Sequence, residues 1–80
     1  MSPGKLVSLR QMQPGQRGRV VEIHGGHGMI ARLGALGIRP GCRITKINSM
    51  LMRGPVTIQV GHTQLALGYG MASKILLELI

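Results

Sequence analysis

Apolar and polar residues alternate along several short stretches of this chain, and only one stretch has a helical period. In Pro55–Val60, Val56, Ile58 and Val60 fall on one face and Thr57 and Gln59 on the other, the period of a half-buried strand. Thr63–Leu67 repeats the pattern with Leu65 and Leu67 inward, and Ile75–Leu79 does so with Ile75, Leu77 and Leu79. Gly61-His62 fits a two-residue hairpin turn of type II′, because glycine tolerates positive φ at the first central position. Gly18–Ile23 reads as an earlier strand, with Val21 and Ile23 on one face and Val20 and Glu22 on the other. Cys42–Ser49 also reads as a strand, but its apolar positions Ile44 and Ile47 break the alternation, which a bulge between them explains.

The helical stretch is Met29–Leu36, where Met29, Leu33 and Leu36 share a stripe and Ile30 lies beside it. Its end is spelled out in Leu33-Gly34-Ala35-Leu36-Gly37-Ile38-Arg39-Pro40-Gly41. Gly37 can take the left-handed conformation that closes a helix, Ile38 then packs back on Leu33, and Pro40-Gly41 favours a turn. Ser8 with Gln11 has capping-box spacing, predicting one helical turn over Leu9–Met12. Gly68–Ser73 is short and predicts a single 3₁₀ turn. Residues 1–5 are expected to be a flexible N-terminus and residues 6–80 one folded domain. Five short strands, an early helix and a late helical turn are too few for a sandwich. A mainly β, SH3-like five-stranded barrel hides the inward stripes and limits bare edges.

Composition narrows the function more than the fold. The chain has 80 residues and one cysteine, Cys42, so it cannot form an internal disulfide and suits a reducing compartment. No apolar run approaches the roughly 18 residues that span a bilayer, and Met1–Lys5 lacks a signal peptide's apolar stretch; a cytoplasmic protein is expected. Ten Lys and Arg face two acids, Glu22 and Glu78, for a formal charge of +8, which attracts polyanionic surfaces. There is no phosphate loop and no Asp, and the two Glu fall on separate predicted strands. Nothing places Cys42 beside a histidine as nucleophile and base, so an enzyme is not expected.

Four features carry candidate chemistry. His24-Gly25-Gly26-His27 offers two imidazoles in a glycine loop, only part of a coordination shell. The loop is therefore read as structural, with His24 and His27 as candidate ligands for a weak or adventitious divalent metal and no resident cofactor. Cys42 opens a strand and reads as a small buried apolar residue. Met50, Leu51 and Met52, followed by Arg53, put three large apolar side chains at an expected hairpin tip. Either they cover the barrel's open end, or they form an adaptable docking patch with a polar rim, which also suits self-association into a homo-oligomer. The basic residues fall in two sets, Arg10, Arg17 and Arg19 around the first strand, and Arg39, Arg43, Lys46 and Arg53 from the helix exit onward. Arg43, Lys46 and Arg53 are read as partner-binding cations beside the apolar tip.

The succession of Gly15, the Gly18–Ile23 strand, Gly25-Gly26, Arg32-Leu33, Leu36-Gly37-Ile38, Pro40-Gly41, Gly54-Pro55, Leu65-Ala66-Leu67-Gly68 and Met71-Ala72 resembles the FeoA family. The likeness extends over about residues 6–79 and rests on order and spacing together. It implies a small cytoplasmic SH3-like domain of bacterial ferrous iron uptake that regulates the transporter FeoB, which has a cytoplasmic GTP-binding domain. Membrane contact would then come only through the transporter. A related domain also occurs in metal-dependent repressors, but the free-standing version is the better match, and a free-standing domain is expected. The alternative reading is a basic SH3-like barrel that binds RNA or DNA. Against it, single-strand binders stack bases on aromatic side chains, and Tyr69 is the sole aromatic residue.

Overall fold

The residues that end the helix set the geometry around them. In the computed structural model, which describes residues 6–49 and 54–80, helix α1 spans His27–Ala35 and stops at Leu36. Gly37 follows with φ of 91°. Its N–H bonds to Gly34 O at 3.0 Å and the N–H of Ile38 to Leu33 O at 2.9 Å, the paired bonds of a Schellman stop. Leu33 and Ile38 are both fully buried in the core, as their spacing predicts. Leu36 is 47% exposed, because only one residue per turn of this short helix reaches the sheet. A Cβ on Gly37 would meet nothing nearer than Val60 Cγ1 at 3.7 Å, so its cost is purely conformational. Gly37→Ala is expected to lower stability by about 1–2 kcal/mol in urea unfolding; a change below a few tenths would mean the stop does not depend on the left-handed residue.

Six strands form one antiparallel sheet among the described residues, in the order β1-β6-β2-β3-β4-β5. They are β1 (Leu6–Ser8), β2 (Arg17–Ile23), β3 (Arg43–Ser49), β4 (Val56–Val60), β5 (Thr63–Leu67) and β6 (Ile75–Leu79). The sequence predicts five. The sixth, β1, is three residues long and acquires its strand character by pairing with β6, Val7 opposite Leu77. The sheet is not closed: β1 and β5 lie at the two ends of the order and do not pair, so the expected five-stranded barrel is corrected to an open six-stranded sheet. It curls around a single cluster that takes residues from nearly every element, including Leu9, Val20, Leu33, Ile38, Ile44, Ile58, Leu67, Ala72 and Leu77.

Two bulges re-aim side chains. In β2 the register with β6 shifts between Val20 and Glu22, so Val21 is an extra residue. Val20 and Ile23 therefore face the core while Val21 is exposed, the reverse of strict alternation. In β3 the register with β4 shifts between Lys46 and Asn48, which puts the expected bulge at Ile47. The Ser8–Gln11 capping box is present, Ser8 N–H donating to Gln11 Oε1 at 2.9 Å and Gln11 N–H to Ser8 Oγ at 3.3 Å, around a 3₁₀ turn over Leu9–Gln11. The late turn, α2 (Tyr69–Ala72), is α-helical and not 3₁₀: Ala72 N–H reaches Gly68 O at 2.9 Å and Ser73 N–H reaches Tyr69 O at 3.1 Å. The N-terminal segment 1–5 and the expected hairpin tip Met50–Arg53 lie outside the described residues.

Candidate functional site

Strand register, not sequence proximity, decides which cations meet. On the outer face, Arg19 of β2 lies between Glu78 of β6 and Arg43 of β3. Arg17, two residues from Arg19, shares that face and stands opposite Thr45. Arg17, Arg19 and Arg43, drawn from both basic sets, thus form one exposed cluster. Arg19 donates to Glu78 Oε1 at 2.9 Å, which balances one charge, while Arg43 faces Arg19 as a like charge. Arg39 and Arg10 lie apart from that cluster. The Arg39 guanidinium reaches Gly34 O at 3.4 Å, near the end of α1. Arg10 lies over the Tyr69 ring, 5.0 Å from its centroid, and donates to the Tyr69 hydroxyl.

Lys46 departs most from expectation. Read as a partner-binding cation, it is 1% exposed and therefore not available to a partner. It follows Ile44 by two residues, so the pleat turns both inward. Its Nζ donates to Arg10 O at 3.0 Å and to Met12 O, tying the 3₁₀ turn and the residue after it to the inside of β3. The backbone adds Gly15 N–H to Lys46 O at 2.7 Å and Lys46 N–H to Gln16 O at 3.0 Å. No carboxylate pairs with it among the described residues, and burial pushes its pKa below the usual lysine range. The sequence signal was the inward parity with Ile44; it was masked because a charged residue is rarely fully buried.

The histidines do not build a centre. His24 is exposed, its Nε2 2.6 Å from Glu22 Oε2, and His27 opens α1 in solvent. Among the described residues no three His, Cys, Asp or Glu are gathered where they could hold a metal. Cys42 is half-buried against the core, its carbonyl accepting from Val20 N–H at 2.9 Å. No pocket is present and no helix is long and apolar enough to cross a membrane, again among the described residues.

Fold and surface together define a class: a small, strongly basic antiparallel β domain of the SH3-like type. The FeoA domain family model matches residues 7–79, and the chain belongs to that family, which is linked to ferrous iron transport. A crystal structure of the iron uptake regulatory protein FeoA is 37% identical, with a TM-score of 0.85 over 95% of this chain and 99% of that one. FeoA from Stenotrophomonas maltophilia, a prokaryotic SH3 domain protein crystallised with zinc, is 22% identical, with a TM-score of 0.75 over 90% of this chain and 89% of that one. A manganese-dependent transcriptional repressor shares the fold at 18% identity, with a TM-score of 0.87 over all of this chain but 44% of its own. Comparison with curated proteins by sequence gives no match.

Proposed function

We propose that this protein is a cytoplasmic accessory of bacterial ferrous iron uptake that binds the GTP-binding region of the FeoB transporter and regulates it without chemistry of its own. The observation that carries the reading is membership of the FeoA family over residues 7–79. The S. maltophilia relative has itself been put forward as a ferrous iron transport activating factor. The contact proposed is apolar docking through Met50, Leu51 and Met52, rimmed by Arg53. Arg43, exposed on β3, adds a cation on the same connection's strand. Lys46 is no longer part of that surface. Binding biases the conformation of the GTP-binding domain or its coupling to the membrane channel. Nucleic-acid binding has less support, because the sole aromatic ring is already occupied by the Arg10 guanidinium.

Co-purification with full-length transporter tests the reading. Tagged wild-type protein is expected to retain the transporter. Met50→Asp/Met52→Asp should lose capture by roughly tenfold or more while keeping the wild-type circular dichroism, because two charges would enter an apolar contact. Unchanged capture by the double variant removes the docking patch; no capture by the wild type removes the transporter partner.

A further inference from the structure

The chain's charge is divided unevenly. All ten cations and both acids lie outside residues 54–73, a segment that contains β4, β5 and α2 and carries no Lys, Arg, Asp or Glu. The outer face of the sheet therefore changes from cationic at Arg17, Arg19 and Arg43 to neutral at Gln59, Gln64 and Ala66.

The neutral segment contains a sheet edge. Among the described residues, β5 pairs with β4 on one side and with no strand on the other. Natural edges are commonly guarded by lysine, proline, a bulge or shortness. The opposite edge, β1, is short, with only three residues. β5 has five residues, Thr63-Gln64-Leu65-Ala66-Leu67, and none of these guards.

Register fixes what this edge offers. Val60 opposite Thr63 closes the two-residue hairpin, so that pair exchanges backbone hydrogen bonds, as do Ile58 with Leu65 and Val56 with Leu67. The alternate residues, Gln64 and Ala66, turn their N–H and C=O away from β4, and both are exposed. An antiparallel strand satisfies all four groups if its own outward pair lies opposite them. A second β5 does this when Gln64 meets Ala66 in both directions about a twofold axis through Leu65. The half-buried Leu65 side chains then stand opposite each other in the closely spaced, non-hydrogen-bonded pair.

We propose that β5 is a self-association edge, pairing antiparallel with β5 of a second copy in the Leu65-centred register to make a continuous twelve-stranded sheet. Two copies each of charge +8 repel, and this seam joins the part of each molecule that carries no formal charge. Five residues a side is a small contact, so the dimer is weak and its population rises with concentration. Salt screens the repulsion between the cationic bodies and is expected to strengthen the association, opposite to its effect on binding a polyanion.

Sedimentation equilibrium of the full chain over a wide concentration range, at low and high salt, tests this. Amide exchange under the same conditions should show Gln64 and Ala66 gaining protection as concentration rises. Ala66→Pro removes an outward N–H that the β4 ladder does not use, so the fold should persist while the association constant falls at least about tenfold. Gln64→Lys puts a cation on the seam and should have the same effect, which keeps the test open if the proline variant fails to fold. A chain that stays monomeric throughout overturns the proposal. So does association that ignores both variants, or that weakens as salt is added.

Discussion

Lys46→Ala is expected to destabilise the domain by about 2–4 kcal/mol, a loss of roughly 10–25 °C in Tm for a chain of this size. Two mechanisms add. The carbonyls of Arg10 and Met12 lose their buried donor, and the four-carbon stem leaves a void on the inward face of β3 that Lys46 shares with the buried Ile44. Lys46→Met keeps most of the volume and removes the buried charge, so its cost should be about half that of the alanine variant or less. Urea unfolding of the three proteins checks the order. Equal stability of wild type and Lys46→Ala would mean that Nζ does not hold the 3₁₀ turn. Tyr69, the sole aromatic residue, supplies a second readout: Arg10 touches it and sits in the tethered turn, so loosening that turn should change tyrosine emission before global unfolding.

Lys46 also gives the domain a signed alkaline response. Burial lowers its folded-state pKa below the ordinary lysine value of 10.5, which the unfolded chain keeps. Below the folded pKa both states are protonated, and the cost of burying the charge is present in full. As pH rises through the folded pKa towards 10.5, the folded state sheds its proton first, so the unfolded state binds more protons and stability rises. Wild type should therefore gain on Lys46→Met across that window. A difference that stays flat with pH would show that Lys46 titrates alike in both states.

Leu33→Ala is expected to have the larger effect, about 3–5 kcal/mol, against a total of roughly 4–12 kcal/mol for a domain of this length. Leu33 is fully buried, and its carbonyl accepts from Ile38, so one residue anchors the helix both to the core and to its stop. The variant should be largely unfolded at 37 °C or melt at least about 15 °C lower. Leu36→Ala, one turn on and 47% exposed, is the control and should change stability by about 0.5 kcal/mol or less. A similar cost at both positions would contradict the burial described for α1.

The elements visible in the sequence are those governed by local physics. Gly37 with Leu33 and Ile38, the Ser8–Gln11 box, and the alternation across β4 and β5 each depend on residues a few positions apart, and each is present in the structure. β1 was hidden because three residues, Leu6–Ser8, carry no usable period; only the β6 ladder makes them a strand. The inward turn of Val20 and Ile23 was hidden because a bulge at Val21 depends on the partner strand's register. The residues proposed for docking, Met50–Arg53, are legible only as sequence chemistry and lie outside the described residues, so the proposal for them rests on that chemistry and on the family.

By itself the amino-acid order determined the helix with its stop, most of the strands, the cationic balance and the family. The three-dimensional arrangement alone decided that Arg17, Arg19 and Arg43 share a face, that Lys46 is inside, and that β5 lies at an end of the sheet formed by the described residues. The physical reason is range: caps and periodicity act over one turn or one pleat, whereas charge clustering, burial and edges are set by which strands pair, and pairing joins residues as distant as Arg19 and Glu78.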